Sequence, residues 1–196
     1  MPKLQVSRTL AEVRWQNRSR AGTHARLFSR QGEMFVAQRL HHCQLPSVPA
    51  HLRLRIEGRT TEFGQKIFIG LLTLDSLTDQ VTGPGLGLAI DPETGMVEDL
   101  LGEAGVIGYI HSAPQEVDAD LFIGVEAWIY GRTFIPRLHL NGETVALPAF
   151  LTQPGQTLTA LAGGEIGAGV LPRIDHTELS LRPLTCHMPV MPGLTR

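Results

Sequence analysis

Lysine is nearly missing from this chain, cysteine is scarce and aromatic side chains are few. Two lysines stand against fifteen arginines, two cysteines occur in 196 residues, and Phe, Trp and Tyr together make up 6%. Each shortage excludes something. Cys43 and Cys186 lie far apart and neither belongs to a CxxC or CxxH pattern, so no zinc or redox motif is present and free thiols are expected. A bridge between them is the alternative in an oxidising compartment. No run of about 18 apolar residues exists, and the opening MPKLQVSRTLAEVRWQN has no apolar stretch after its basic residues. A cytoplasmic protein without membrane contact is the expectation. No GxSxG, Walker or GxGxxG pattern occurs: GPGLG at 83–87 lacks a following Lys-Ser/Thr helix, and AGGEIGAG at 162–169 has the wrong glycine spacing.

What is present is a globular composition, 42% hydrophobic and 18% charged, in a chain of a length that β-sandwiches fill as one domain. The net charge of −2 hides a polarity: residues 1–60 carry eleven Lys and Arg against three acids, and residues 61–196 six against sixteen. Because the front arginines alternate with apolar residues, complementarity between strands explains them better than a nucleic-acid surface.

The alternation is clearest in HLRLRI (51–56), where Leu52, Leu54 and Ile56 share one face and His51, Arg53 and Arg55 the other. RLHL (137–140) and TELSL (177–181) repeat it. Longer apolar runs, KIFIGLLTLD (66–75), GLGLAID (85–91), GVIGYI (105–110) and DLFIGVEAWIY (120–130), read as strands covered on both faces. Turn chemistry punctuates them. Asp91-Pro92-Glu93-Thr94-Gly95 and Asn141-Gly142 predict hairpins, with Gln31-Gly32 and Tyr130-Gly131-Arg132 as further cases. The best helical candidate is a single turn in VEDLLGEAG (97–105), interrupted by Gly102. Short strands at regular spacing predict an all-β fold, an antiparallel two-sheet sandwich, in one domain over 1–196 with a Pro-rich, irregular extension at 184–196.

About a dozen such strands, with FIG at 68–70, the IDPETG turn and a strand ending in LNGE, resemble the concanavalin A-like jelly roll, a superfamily of lectins, laminin G modules, SPRY domains and glycan-active enzymes. The resemblance spans roughly residues 10–183. It implies two curved sheets, with ligand taken on a concave face or on the loops at one end.

Two clusters are candidates for chemistry. Glu116, Asp118 and Asp120 alternate ahead of the strand LFIGVEAWIY, so in an extended chain three carboxylates would line one face in steps of about 6–7 Å. This is similar to the ExDxxE or ExDxE strand of laminarinase-type glycoside hydrolases. The resemblance implies Glu116 as nucleophile, Asp120 as acid/base and Asp118 as the tuning residue, although the acid position is Asp where those enzymes have Glu. The second cluster is Glu126, Trp128 and Tyr130, which share one strand face and would make a sugar-stacking platform; Trp15 is a further stacking candidate. The opposite set, Ile123, Val125, Ala127 and Ile129, is the more uniformly apolar and suits the core.

Other groups offer less. His41 and His42 beside Cys43 point opposite ways on a strand, and His111, His139 and His176 are scattered. Asp75, Asp79, Asp91, Glu93 and Asp99 could supply oxygen ligands to calcium, but turn chemistry explains them equally well. No metal site and no cofactor is therefore assigned. Three functions remain open: a non-catalytic module binding a glycan or protein partner, a glycoside hydrolase or lyase, and a self-associating structural protein forming a homo-oligomer.

Overall fold

A computed structural model describes residues 10–15, 24–29, 33–59, 66–75, 81–102, 105–111, 118–165 and 173–184. Among the described residues there are fourteen strands: β1 (Leu10–Trp15), β2 (His24–Ser29), β3 (Met34–Gln44), β4 (Ala50–Arg59), β5 (Ile67–Leu72), β6 (Leu86–Ile90), β7 (Met96–Asp99), β8 (Gly105–Tyr109), β9 (Asp120–Tyr130), β10 (Thr133–Leu140), β11 (Glu143–Ala146), β12 (Phe150–Leu151), β13 (Thr157–Glu165) and β14 (Arg173–Pro183). They form an eight-stranded sheet in the order β1-β2-β3-β13-β5-β6-β7-β8 and a six-stranded sheet in the order β11-β10-β9-β4-β14, with β12 paired to β10. Every pairing is antiparallel. The predicted two-sheet sandwich is the fold.

The main core lies between the sheets. Leu52, Leu54 and Ile56 of β4 and Ile123, Val125, Ala127 and Ile129 of β9 meet Ile69, Leu71, Leu88 and Ile90 from the eight-stranded sheet, all buried. The period-two alternation of β4 put its arginines on the opposite, open side. A second apolar cluster, with Phe35, Phe68, Ala89 and Leu161, lies on the far face of the eight-stranded sheet, so β5 and β6 are buried on both faces as their unbroken apolar runs predict. Glycine permits the closest strand contact there: a Cβ on Gly163 would fall 1.8 Å from the carbonyl oxygen of Val36.

The turns follow their sequence chemistry. At the β10–β11 hairpin Asn141 (φ 45°) and Gly142 (φ 91°) both take left-handed conformations, as a type I′ turn requires. Asn141 also accepts a hydrogen bond from the Phe122 amide at 2.8 Å and donates to the Asp120 carbonyl, pinning this end of the hairpin to β9. In the β6–β7 turn the Asp91 carboxylate accepts from the amides of Glu93 and Thr94, and Gly95 sits at φ 72° against the Ile110 carbonyl. The Gln31-Gly32 turn lies outside the described residues, although β2 and β3 pair as its hairpin would require.

Three expectations fail. Residues 97–102 form no helical turn: Met96–Asp99 is strand, and the Asp99 carboxylate accepts from the Leu101 amide, capturing a donor that a helix would need. GVIGYI is not covered on both faces, because β8 ends the eight-stranded sheet and leaves Val106 and Tyr109 exposed. DLFIGVEAWIY is covered on one face only, its residues alternating between core and solvent.

Candidate functional site

The outward residues of β4, β9 and β10 form one surface whose rows are set by strand register. Arg53 pairs with Glu126 and Glu126 with Arg137. One row along, His51 pairs with Trp128 and Trp128 with Ile135; in the other direction Arg55 pairs with Gly124 and Gly124 with His139. Successive outward residues on a strand stand about 6–7 Å apart, so these rows make a continuous polar strip.

Glu126 is its hub. One carboxylate oxygen, Oε1, lies 2.9 Å from His51 Nε2, and the other, Oε2, accepts a hydrogen bond from His139 Nε2 at 3.3 Å. The His51 contact is close enough for an ion pair but does not have hydrogen-bond geometry, so it acts through charge when the imidazole is protonated. His139 is oriented from its other nitrogen as well, with Nδ1 2.8 Å from the Thr144 hydroxyl on β11. Glu126 donating nothing, the Nε2–H of His139 must point to it, which leaves Nδ1 to accept from Thr144 whenever the ring is neutral.

Trp128 stands next to this hub. The Arg137 guanidinium lies 4.8 Å from the centre of its ring, and the His51 ring is 5.3 Å away at a 43° tilt. These contacts fix the indole on the sheet surface instead of leaving it free to rotate. Tyr130 is 50% exposed at one end of β9 and Phe122 52% exposed at the other. Between Phe122 and Glu126 the strand carries Gly124, and the missing side chain leaves a depression of about 350 Å³ bounded by Arg53, Arg55, Glu57, Phe122, Glu126 and His139.

The structure thus brings together Glu126, Trp128 and Tyr130 on the open face, with their apolar opposites in the core. Sequence reasoning missed their neighbours from other strands: His51, Arg53, Arg137 and His139 as partners, and Phe122 as a third aromatic. The alternation in HLRLRI and RLHL showed that these residues point outward, but only the strand order β4-β9-β10 shows that they meet.

Of the 116–120 cluster, residues 118–120 are described. Asp118 adopts φ 60°, a turn conformation and not the extended one expected of it. Asp118 and Asp120 both face Arg59, at 3.1 Å and 3.7 Å, on the exposed rim of the sheet. Glu116, Cys186, Asp79 and the side chain of Trp15 lie outside the described residues.

The remaining candidates have local partners. His41 Nε2 meets the Thr177 hydroxyl and His42 Nδ1 the Thr159 hydroxyl, on opposite faces of β3. Cys43 is a free thiol, and burial pushes its pKa up, away from reactivity. Among the described residues no group of three or more His, Cys, Asp or Glu side chains is arranged to hold a metal ion.

No protein-family model matches the sequence, and no curated protein matches it either. Solved structures similar to the chain include a family 7 polysaccharide lyase, alginate lyase A1-II′, at TM-score 0.47 and 10% identity over 83% of each chain. The exoplasmic/lumenal domain of VIP36, solved with Ca²⁺ and Man3GlcNAc, matches at TM-score 0.46 and 14% identity over 85% of this chain and 81% of that one. Lectin I-B4 from Griffonia simplicifolia matches at TM-score 0.42 and 11% identity over 81% and 88%. The similarity is one of fold.

Proposed function

We propose that this protein is a glycan-binding β-sandwich module whose ligand lies along β9 on the open face of the six-stranded sheet. One observation carries the proposal: Phe122, Trp128 and Tyr130 are aligned on the outward face of a single strand, with His51, Arg53, Arg137 and His139 gathered around Glu126 between them. From Phe122 to Tyr130 is about 27 Å at the rise of a β-strand, room for several sugar residues. Aromatic faces pack on the C–H faces of sugar rings, and a carboxylate oriented by the hydrogen bond from His139 offers oxygen acceptors to ring hydroxyls with less ordering on binding. Gly124 gives the chain a recess.

Glycoside cleavage by Glu116, Asp118 and Asp120 is the alternative, and it has less support, since Arg59 neutralises two of the three carboxylates. The proposal is tested by titrating a panel of oligosaccharides against the protein and its Trp128→Ala and Tyr130→Ala variants. Binding by the native chain that weakens in both variants is the expected result; equal binding by all three sinks it.

A further inference from the structure

We infer that the ligand of this face is an anionic glycan, one bearing carboxylate or sulfate groups. The inference rests on the proposed glycan-binding role and adds the chemical class. Its ground is the way charge is compensated, and where it is not. Arg59 at the rim is matched by Asp118 and Asp120, and Arg55 by Glu57 at 3.6 Å. In the central row the accounting differs. Arg53 and Arg137 flank Glu126 in register, yet the oxygens of that carboxylate lie against His51 and His139, Oε2 accepting from His139. Neither Arg53 nor Arg137 has a carboxylate within ion-pair distance among the described residues, and the same holds for Arg182, paired in register with His51 on β14.

Arg53, Arg137 and Arg182 therefore stand on one sheet face without an ion pair among the described residues, where Glu57 is taken by Arg55, Glu126 lies against His51 and His139, and exposed Glu178 stands opposite Arg55. Both Arg53 and Arg137 are exposed, so no burial cost opposes them, and the planar fork of each suits two oxygens of a carboxylate or sulfate. Arg53 borders the recess above Gly124, while Arg137 lies over the Trp128 ring. An anionic group seated in the recess would meet Arg53 with its sugar ring directed along β9 toward Trp128. Of the basic residues of 1–60, β4 carries Arg53 and Arg55 to the open face.

The test is isothermal titration with four probes of matched length: an oligouronate, a sulfated oligosaccharide, a neutral oligoglucan and double-stranded DNA. Proteins compared are the native chain, Arg53→Ala with Arg137→Ala, and Trp128→Ala. The expected result is binding of the oligouronate, the sulfated sugar or both. It should fall about tenfold to a hundredfold in the double arginine variant and weaken as salt is raised from about 0.05 to 0.5 M. Which anionic sugar binds identifies the group. Neutral glucan bound as tightly, with no loss in the double arginine variant, overturns the anionic inference and leaves the glycan-binding role standing. DNA bound as tightly as the sugars, or no sugar bound at all, overturns both.

Discussion

Gly124 and His139 face each other across the β9–β10 ladder, and a Cβ placed on Gly124 would sit 3.5 Å from the His139 Cβ and 3.5 Å from the Leu54 carbonyl oxygen. Those are ordinary van der Waals distances. The site accepts a side chain, and β-strands favour branched ones, so Gly124→Val should keep the fold and gain about 0.5–1 kcal/mol from the restricted unfolded chain. The same isopropyl group would fill the recess. Ligand binding should therefore be lost while the melting temperature holds or rises, which paired calorimetry and thermal unfolding will show; retained affinity would mean that the recess is not used.

Lys66 tests the other face of the molecule. Its ammonium lies 2.5 Å from Glu33 and 3.1 Å from Glu98, all three groups largely shielded beside the Phe35–Phe68 cluster. Burial works against the charge, but hydrogen bonds to the two carboxylates outweigh it and hold the Lys66 pKa above its ordinary value. Its stabilising contribution is thus complete through neutral pH and disappears only as alkaline pH passes that raised value. Lys66→Met leaves the two carboxylates without their shared cation and should cost about 3 kcal/mol in urea unfolding. Adding Glu98→Gln should recover part of the loss. A cost below about 0.5 kcal/mol would show the pair to be exposed in solution.

The legible part of this structure was its alternation. HLRLRI specified which residues of β4 face the core, and Asn141-Gly142 specified a type I′ hairpin, because both depend on neighbours in sequence. What could not be read was register across strands. Arg53 lies far before Glu126 in the chain, and nothing local states that β4 and β9 adjoin. The same limit explains β9 itself: LFIGVEAWIY looks apolar throughout, yet among the described residues no third layer lies over the six-stranded sheet, and Phe122, Trp128 and Tyr130 face outward. Asp118 misled for a local reason, since three alternating carboxylates imply an extended chain and φ 60° breaks it.

Asp99 carries a pH dependence of stability. Desolvation raises its pKa, with backbone hydrogen bonds from Leu101 and Gly102 offsetting part of the effect. The folded state then holds its proton more tightly than the unfolded state, so stability falls as pH rises from below the ordinary carboxylate value through the raised one. Asp99→Asn keeps an oxygen acceptor for the Leu101 amide and has no proton to lose. Its stability relative to the native chain should improve steadily across that range in denaturant titrations; parallel pH profiles would contradict the assignment.

Cys43 should be silent until the fold opens. It is 6% exposed and its thiol is held protonated by burial. Alkylation in native buffer, followed by peptide mass analysis, should leave Cys43 unmodified and label it after denaturation. Rapid native labelling at Cys43 would show that β3 opens without global unfolding.

The open face can be judged from one fluorophore. The chain has two tryptophans, Trp15 and Trp128, so a Trp15→Phe variant reports from the Glu126 hub alone. Titrating it with the best-bound acidic oligosaccharide should shift the Trp128 emission saturably, with the same affinity that calorimetry gives. Binding measured by calorimetry with no change in Trp128 emission would place the ligand elsewhere and contradict the account.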